Sequence, residues 1–265
     1  MTRLRETLPA IALGILVLAV WEALIWLLDV SAFVIPAPSA IIRVLVLKQA
    51  LLLNAAIVTA GEVLLGFLFS AVTGIAVALV IVRFAAFGRA LYPLVVLFQT
   101  VPKVALAPIF ILWFGYDLMP KVSLIVVIAF FPVALNMLAG LQSIDPALVA
   151  LMRSVGAGRG EILRRVQIPH SLPYLISGLK IAITFSVIGA VVGEFAGASA
   201  GLGYMIQFAS TQLETPLVFA ALFEVSVLGV VFYYVIEALE HRFVAWAPRY
   251  DAAVTGAALA AASHT

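Results

Sequence analysis

Apolar residues occur in six long runs, separated by short segments that carry most of the charged residues. A membrane-spanning helix needs about 20 predominantly apolar residues, and each run reaches that length. The pattern therefore predicts six transmembrane helices. These predicted spans are 8–28, 54–82, 90–114, 119–141, 173–196 and 216–239.

The composition agrees with a location in the lipid bilayer. Hydrophobic residues make up 65% of the 265 residues, charged residues make up 11%, and the mean hydropathy is +1.22. A soluble domain has about 25% charged residues and could not bury this much apolar surface. Because helices satisfy their backbone groups internally in lipid, we expect an all-α, polytopic fold. It is predicted to form one transmembrane domain over 1–251, followed by a poorly ordered Ala-rich tail, 252–265.

The residue types exclude several kinds of chemistry. The chain has no cysteine, which excludes disulfides and thiol nucleophiles, and its three histidines show no metal-ligand spacing. It contains no H-E-x-x-H sequence, and no catalytic or metal site is predicted. The net charge of +2 gives no indication of nucleic-acid binding.

Two segments depart from simple spans. The third span contains Pro93, Pro102 and Pro108, which predict an interrupted helix whose backbone faces protein or a cavity rather than lipid. Between the first two spans, Ser39 is predicted to be the N-cap of a short interfacial helix that ends near Ala50.

The positions of Lys and Arg predict the orientation in the membrane. Positive residues concentrate in cytoplasmic segments. With the N-terminus inside, ten of them are cytoplasmic and three are outside, so both termini are predicted to be cytoplasmic. The inner set is Arg3, Arg5, Arg83, Arg89, Arg153, Arg159, Arg164, Arg165, Arg242 and Arg249, and the outer set is Arg43, Lys48 and Lys121.

The polar segment between the fourth and fifth spans, about 143–170, is cytoplasmic in this topology. Asp145 followed by Pro146 predicts a helix start, and Gly156 predicts its end. A second short helix is predicted over 160–166, stopped by Pro169 and Pro173. Two short helices of mixed apolar and basic character could dock in a groove of another protein. On chemistry alone, a solvated connector fits equally well.

The spacing within this loop is more specific than its composition. Nine residues separate Gly156 from Val166-Gln167-Ile168-Pro169. This resembles the coupling loop of the permease subunits of ATP-binding-cassette (ABC) importers, whose signature is E-A-A, three residues, Gly, nine residues and I-x-L-P. The resemblance implies that the loop contacts the ATPase subunit. Ala150 stands where the family has its acidic residue, and the loop residues assigned to coupling are Asp145, Ala150, Gly156, Glu161, Val166, Ile168 and Pro169.

The resemblance extends over about 10–247. The stretches 99–115, 189–203 and 215–221 are similar to permeases of the nitrate, sulfonate and taurine type and to relatives that import pyrimidine or other vitamin precursors. The resemblance implies a type I ABC-importer permease fold in a bacterial cytoplasmic (inner) membrane, a second copy of the permease, two ATPase subunits and an extracytoplasmic solute-binding protein.

No G-x-x-x-x-G-K-[ST] sequence occurs in the chain. This absence predicts that the chain is not itself an enzyme. ATP and Mg²⁺ are expected on the partner ATPase, with no cofactor bound by this chain.

Charged residues within spans are candidates for the translocation path. Glu62 and Lys103 have similar predicted depths, which suggests an ion pair that serves either packing or cargo. Glu194 lies beside a Gly-rich stretch and is expected to be a gate, a helix cap or a rim residue. Glu224 lies within the sixth span, and Glu22 is expected to reach the lipid headgroups.

The excess of acids over bases in the spans favours a neutral or weakly basic organic cargo, such as a vitamin precursor. A secondary transporter or channel is the main alternative function, although the sequence shows no internal repeat of the kind that many carriers have. An intramembrane enzyme and a non-transporting scaffold fit the residues less well.

Overall fold

The structure is a computed structural model that describes residues 2–244, of which the side chains of 2–8, 10, 85–87 and 243 lie outside the description. The tail predicted to be poorly ordered, 252–265, also lies outside the described residues. The described part is helical and contains no strand. Its helices are α1 (Thr2–Leu27), α2 (Pro38–Leu47), α3 (Gln49–Arg83), α4 (Ala85–Gln99), α5 (Ala107–Phe114), α6 (Leu118–Gln142), α7 (Pro146–Ser154), α8 (Arg159–Ile162), α9 (Ile168–Gly197), α10 (Leu202–Thr211) and α11 (Thr215–Phe243).

The long helices account for five of the six predicted spans. By length and hydropathy, α3, α6, α11 and the continuous helix from Arg159 to Gly197 can each cross a membrane, and α4 and α5 together form a fifth, bent span. The apolar part of α1, Ile11–Leu27, is shorter. It lies at the lower end of the spanning range of about 17 to 25 residues.

The third span is interrupted, as predicted, and bends by 88°. A short 3₁₀ turn, Lys103–Leu106, separates α4 from α5. Pro102 precedes this turn, and Pro108 lies in the first turn of α5, where a missing N–H is tolerated. Pro93 lies inside α4 without ending it, so the prediction that it interrupts the span is wrong. Its effect is limited to one lost backbone hydrogen bond.

Three long helices, α3, α6 and α9, form the centre of the bundle. Val63, Ile125 and Ile183 are buried where these helices meet. Glycine permits the close approach, because Gly66 of α3 and Gly189 of α9 both face Ile125 of α6 and leave no room for a side chain.

A second group of helices packs around one end of α3. Leu52 of α3, Leu202 of α10 and Ala220 of α11 are buried together, and apolar residues of α2 pack against them. This cluster places α10 between three longer helices. Because apolar side chains cover α10, the free backbone N–H and C=O groups at its ends need hydrogen-bond partners within the protein.

The start of α2 differs from the prediction. The N-cap is Ala37 and Pro38 is the first helical residue, so Ser39 is not the cap. Instead, the backbone N–H and the hydroxyl of Ser39 donate to the carboxylate of Glu22 on α1, at 3.0 and 2.7 Å. Glu22 was expected to reach the headgroups. The structure shows that it supplies an acceptor to the first turn of α2.

Candidate functional site

The loop between α6 and α9 begins with a capped helix. The side chain of Asp145 accepts a hydrogen bond from the backbone N–H of Ala147, at 2.8 Å, and Pro146 is the first residue of α7. This arrangement satisfies one of the free N–H groups at a helix start. The predicted role of Asp145 as N-cap is therefore confirmed.

The end of α7 is also specified by its sequence. Gly156 has φ +87°, a left-handed conformation that favours glycine. Its N–H donates to the carbonyl of Arg153, and the N–H of Ala157 donates to that of Met152, both at 3.0 Å. These two bonds form a Schellman motif, in which a glycine reverses the chain and closes the helix. Gly156 thus fixes the direction in which the chain leaves α7.

No residue of α7 is buried. The side chains of Leu148, Leu151 and Val155 are 43%, 60% and 73% exposed. Their spacing places them on one face of a helix. On another side, Ala150 lines a cavity of about 850 Å³ together with Arg89 and Arg153. The helix therefore presents an apolar stripe beside a basic recess.

The second half of the loop is not a separate short helix. A helix begins at Arg159, passes through a π-helical segment, Leu163–Gln167, and continues as α9 to Gly197. The prediction that Pro169 and Pro173 stop a helix at 166 is wrong. Pro169 lies in the first turn of α9, and the π-helical segment precedes it. The wider hydrogen-bond spacing of such a segment accommodates the irregularity without ending the helix.

The remaining coupling residues lie along this helix. Glu161 is exposed and pairs with Arg165, at 3.2 Å. Val166 and Ile168 are half-buried, and Pro169 is exposed. The side chain of Gln167 donates to the backbone carbonyl of Leu141, at 3.3 Å, and so ties the π-helical segment to the end of α6.

Glu62 forms an ion pair with Lys121 and not with Lys103. Glu62 and Lys121 are 3% and 8% exposed, and the ammonium group of Lys121 donates to Glu62 Oε1. Lys103 instead donates to the backbone carbonyl of Gln99, at 2.7 Å, and lies 4.8 Å from the ring centroid of Phe131. The predicted Glu62–Lys103 pair is therefore wrong. The bend in the third span keeps Lys103 with residues of its own span and with α6.

Lys121 was assigned to an outer segment and lies instead in the first turn of α6. Its stem packs against Gly193 of α9, where a Cβ atom would lie 3.2 Å from the Cγ of Lys121. Nothing in the sequence indicated that a charged side chain packs against this glycine.

Glu194 is fully buried and holds the start of α10. Glu194 Oε1 accepts from the hydroxyl of Thr59, at 2.7 Å. Its Oε2 accepts from the N–H groups of Gly203 and Tyr204, at 2.5 and 3.2 Å. The hydroxyl oxygen of Thr59 accepts from the N–H of Leu202, at 2.8 Å. Of the three expectations for Glu194, the helix cap describes its contacts.

Glu224 lies half-buried on α11. The described residues contain no group of three or more His, Asp or Glu side chains that could hold a metal ion. No contact among the described residues brings Glu224 together with Glu62, Lys103 or Glu194. Of the four predicted path residues, Glu62 and Glu194 therefore lie close together in the core, whereas Lys103 and Glu224 lie elsewhere.

The sequence did not identify Thr59 or Lys121 as partners of the buried acids. A threonine in an apolar run is ordinarily satisfied by its own helix, as Thr59 partly is through the carbonyl of Ala55, at 3.2 Å. A lysine at the end of a span ordinarily reaches the headgroups. Only the packing of α3, α6 and α9 shows that both side chains point inward.

The ion pair generates a prediction with a matched control. Removing one partner of a buried ion pair leaves an uncompensated charge and costs roughly 3 to 5 kcal/mol. We expect Lys121→Met to lower the thermal unfolding midpoint strongly in detergent. Lys103→Met should cost less than about 1 kcal/mol, because it loses a cation–π contact and one hydrogen bond. Adding Glu62→Leu to Lys121→Met should recover part of the loss. Equal midpoints for the two single lysine variants would contradict this assignment.

Comparison with known proteins places this geometry in a family. The family model described as "Binding-protein-dependent transport system inner membrane component" matches residues 70–245. The chain is 35% identical to the formylaminopyrimidine transport permease protein ThiX of Halalkalibacterium halodurans, over 93% of this chain and 98% of that protein. It is 32% identical to the riboflavin transport system permease protein RibX of Chloroflexus aurantiacus, over 90% and 91%.

The fold is similar to that of a solved methionine ABC transporter, MetNI, in an inward-facing conformation. The TM-score is 0.65 at 20% identity, and the likeness covers 74% of this chain and 97% of the solved chain. At this identity the likeness is evidence of the fold, and it confirms the predicted type I ABC-importer permease fold. Together with the match to the family model, it sets aside the alternatives of a secondary transporter and a channel. The chain belongs to the family of binding-protein-dependent transport system inner membrane components, and it is the membrane-embedded permease subunit of an ABC importer rather than an enzyme.

Proposed function

We propose that the segment 143–170 is the surface on which the ATPase subunit of this importer docks. The observation that carries the proposal is the exposure of α7, a helix capped at both ends with no buried residue. A nine-residue helix is too short to be stable alone in water. Its exposed apolar stripe, Leu148, Leu151 and Val155, is suited to a hydrophobic groove.

The docking surface is basic as well as apolar. Arg89 and Arg153 line the larger cavity beside α7, and Arg83 and Arg159 line a second cavity with Arg153. Four arginines at one end of the bundle support a cytoplasmic position for this end. The same orientation places both termini in the cytoplasm. Because Lys121 is buried, only Arg43 and Lys48 of the predicted outer set remain. The excess of Lys and Arg on the cytoplasmic side is therefore larger than the sequence indicated.

The remaining assembly follows from the type of importer. We propose that two copies of this permease enclose the path, that two ATPase subunits bind ATP and Mg²⁺, and that a solute-binding protein delivers cargo on the opposite side. Closure of the ATPases would displace the docked loops and shift the permease between inward-open and outward-open states. No cofactor is assigned to this chain.

For the path itself, we propose Lys103 and Glu224 as the candidates among the four predicted residues. Glu62 and Glu194 are buried and bonded within one chain, so they act through the fold. Lys103 lies at the break between α4 and α5, and irregular backbone at membrane depth is tolerated beside protein or a cavity. The Lys103→Met chain tests this proposal, since we expect normal assembly with altered transport. Unaltered transport would remove Lys103 from the path.

For the cargo, we propose a small organic solute of the pyrimidine or vitamin-precursor class. The excess of acids no longer supports this choice, because Glu62, Glu194 and Glu22 are engaged in contacts within the fold. Support comes from the names of the two relatives above, which transport formylaminopyrimidine and riboflavin. The chain is also 31% identical to a putative aliphatic sulfonates transport permease protein, SsuC, of Bacillus subtilis.

The cargo proposal is tested with the reconstituted importer. We expect ATP-dependent uptake of formylaminopyrimidine into proteoliposomes that contain the permease, its ATPase and its binding protein. Uptake of taurine under the same conditions should stay at the level seen without ATP. The reverse result would assign the chain to the sulfonate-transporting branch of the family.

The docking proposal predicts a difference between two neighbouring residues of α7. Leu151→Glu places a charge in the apolar stripe, and we expect it to abolish co-purification of the ATPase. Ala150→Glu adds the same charge next to Arg89 and Arg153, at the position where similar permeases have an acid, so the ATPase should be retained. Equal retention by both variants would show that the stripe is not the docking surface. Size-exclusion chromatography of each permease alone controls for folding.

The left-handed conformation of Gly156 at the end of α7 predicts that a substitution there impairs the coupling of ATP hydrolysis to transport. Gly156→Val forces a β-branched residue into a left-handed conformation, which costs about 1 to 3 kcal/mol. Space is not the limitation, because a Cβ atom on Gly156 would meet no atom within 4 Å. We expect the complex to assemble and hydrolyse ATP while transport falls about tenfold or more, since about 1.4 kcal/mol is a factor of ten.

Gly158→Val is the matched control for this experiment. Gly158 lies in the same loop, also has open space around it, and has φ −77°, which valine adopts without strain. Its transport should remain close to that of the unmodified chain. Equal transport by Gly156→Val and Gly158→Val would contradict the role assigned to the reversal.

A further inference from the structure

Three ionisable side chains from three helices meet in the buried centre of the bundle. Glu62 of α3, Lys121 of α6 and Glu194 of α9 are 3%, 8% and 0% exposed. The carboxyl groups of Glu62 and Glu194 are neighbours, because Thr59, three residues before Glu62, donates to Glu194, and Lys121, which donates to Glu62, packs against Gly193. Two carboxylates and one ammonium group would carry a net charge of −1 in a buried site. Such an imbalance is unfavourable in the interior of a membrane protein.

The hydrogen bonds of the cluster leave one atom unsatisfied. Glu194 Oε1 accepts from Thr59, and Glu194 Oε2 accepts from the N–H groups of Gly203 and Tyr204. Glu62 Oε1 accepts from Lys121. Glu62 Oε2 is buried and has no hydrogen-bond partner among the described residues. A bare carboxylate oxygen in the neighbourhood of a second carboxylate combines a lost hydrogen bond with repulsion between like charges.

We propose that this cluster is a proton-binding site, in which one proton sits on Glu62 Oε2 and is donated to the carboxylate of Glu194. The proton gives the unsatisfied atom a partner and reduces the charge of the three side chains to zero. Glu194 is the poorer carrier, because its Oε2 must accept two backbone N–H groups. Glu62 retains its carbonyl-type Oε1 for Lys121. One proton therefore satisfies every polar atom of the cluster.

Within the part of the chain that the structure describes, no other element supplies a competing charge to the site. Lys103, on the bent span beside α6, is directed to Gln99 and Phe131. The residues of α10, Leu202–Thr211, include no charged side chain, and its first N–H groups contribute partial positive charge. Among the described residues, Lys121 pairs with Glu62, and the other salt bridges, Lys48–Glu214, Arg165–Glu161 and Lys180–Glu240, involve none of the three.

The proton stabilises the contact between α10 and the rest of the bundle. Glu194 and Thr59 accept the N–H groups of the first three residues of α10. Gly201, with φ +111°, packs so closely against the Glu194 carboxylate that it leaves no room for a side chain. If the proton leaves, repulsion from Glu62 acts on the same carboxylate that holds α10. Raising the pH should therefore weaken the contact between α10 and the bundle, and lowering the pH should strengthen it.

Single-cysteine labelling tests this inference, because the chain has no cysteine of its own. Ala209 on α10 is 1% exposed, so Ala209→Cys should react with a water-soluble maleimide only when α10 lifts. Ser199→Cys, at an exposed position before α10, corrects for the pH dependence of the thiol. We expect the ratio of labelling at 209 to that at 199 to rise several-fold between roughly pH 6 and roughly pH 9.

The variant Glu62→Gln separates the proton from other effects of pH. Its amide NH₂ donates to Glu194 as the proton does, while its carbonyl still accepts from Lys121. We expect the labelling ratio to stay low at both pH values in this variant. A ratio with the same pH dependence in the Glu62 and Glu62→Gln chains would overturn the proposal.

Infrared spectroscopy of the unmodified chain provides a test that does not depend on any variant folding. With ¹³C-carboxyl glutamate, we expect an isotope-shifted band of a protonated carboxylic acid that exchanges slowly with D₂O at neutral pH. Absence of that band overturns the proposal outright. Its presence in the unmodified chain, with loss in Glu62→Gln, supports the proton on Glu62.

Discussion

The backbone N–H groups at the starts of the short helices impose the constraint on which the rest of this structure depends. Each helix start exposes N–H groups that no residue of the same helix can satisfy, and at membrane depth water is scarce. The chain solves this problem twice with a glutamate from a neighbouring long helix. Glu22 of α1 accepts from Ser39 at the start of α2, and Glu194 of α9 accepts from Gly203 and Tyr204 at the start of α10. Glu22 and Glu194 thus act as helix caps within the fold.

Placing Glu194 in the interior creates a second requirement, because the carboxylate lies beside Glu62. Lys121 enters the core to balance the charge, and Gly193 leaves space for its stem. The packing of α3, α6 and α9 is therefore specified by polar contacts as well as by Val63 and Ile125. A buried ion pair is weak evidence for stability. Here its contribution is to fix which helix faces which, since no other described lysine reaches Glu62.

The sequence predicted the features that depend on residues close together in the chain. Six apolar runs, the Asp145–Pro146 helix start and the glycine at 156 correspond to features that the structure shows, because each depends on residues within one turn of helix. The partners of the buried acids depended on how distant helices pack. Similar depth made Lys103 a reasonable partner for Glu62, but an 88° bend after α4 directs it elsewhere. Pro169 was expected to end a helix, but the helix continues through a π-helical segment whose Gln167 donates to the distant carbonyl of Leu141. The ends of α7, on which the proposed docking surface lies, could thus be predicted from the sequence, and the polar contacts in the centre of the bundle could not.

The continuous helix from Arg159 to Gly197 joins these two parts of the molecule. It has 39 residues and at about 1.5 Å per residue extends about 58 Å. The segment proposed for coupling lies at its first turns, and Glu194 lies near its last turn. A displacement of the loop along the helix axis reaches the start of α10 through a helix whose hydrogen bonding is irregular at the π-helical segment, Leu163–Gln167, and at Pro173. Two separate short helices, as the prolines suggested, would have placed a flexible joint at this point. The continuous backbone therefore links the proposed docking segment to the residues that hold α10. Both the ATPase and the proton on Glu62 would act on this one helix.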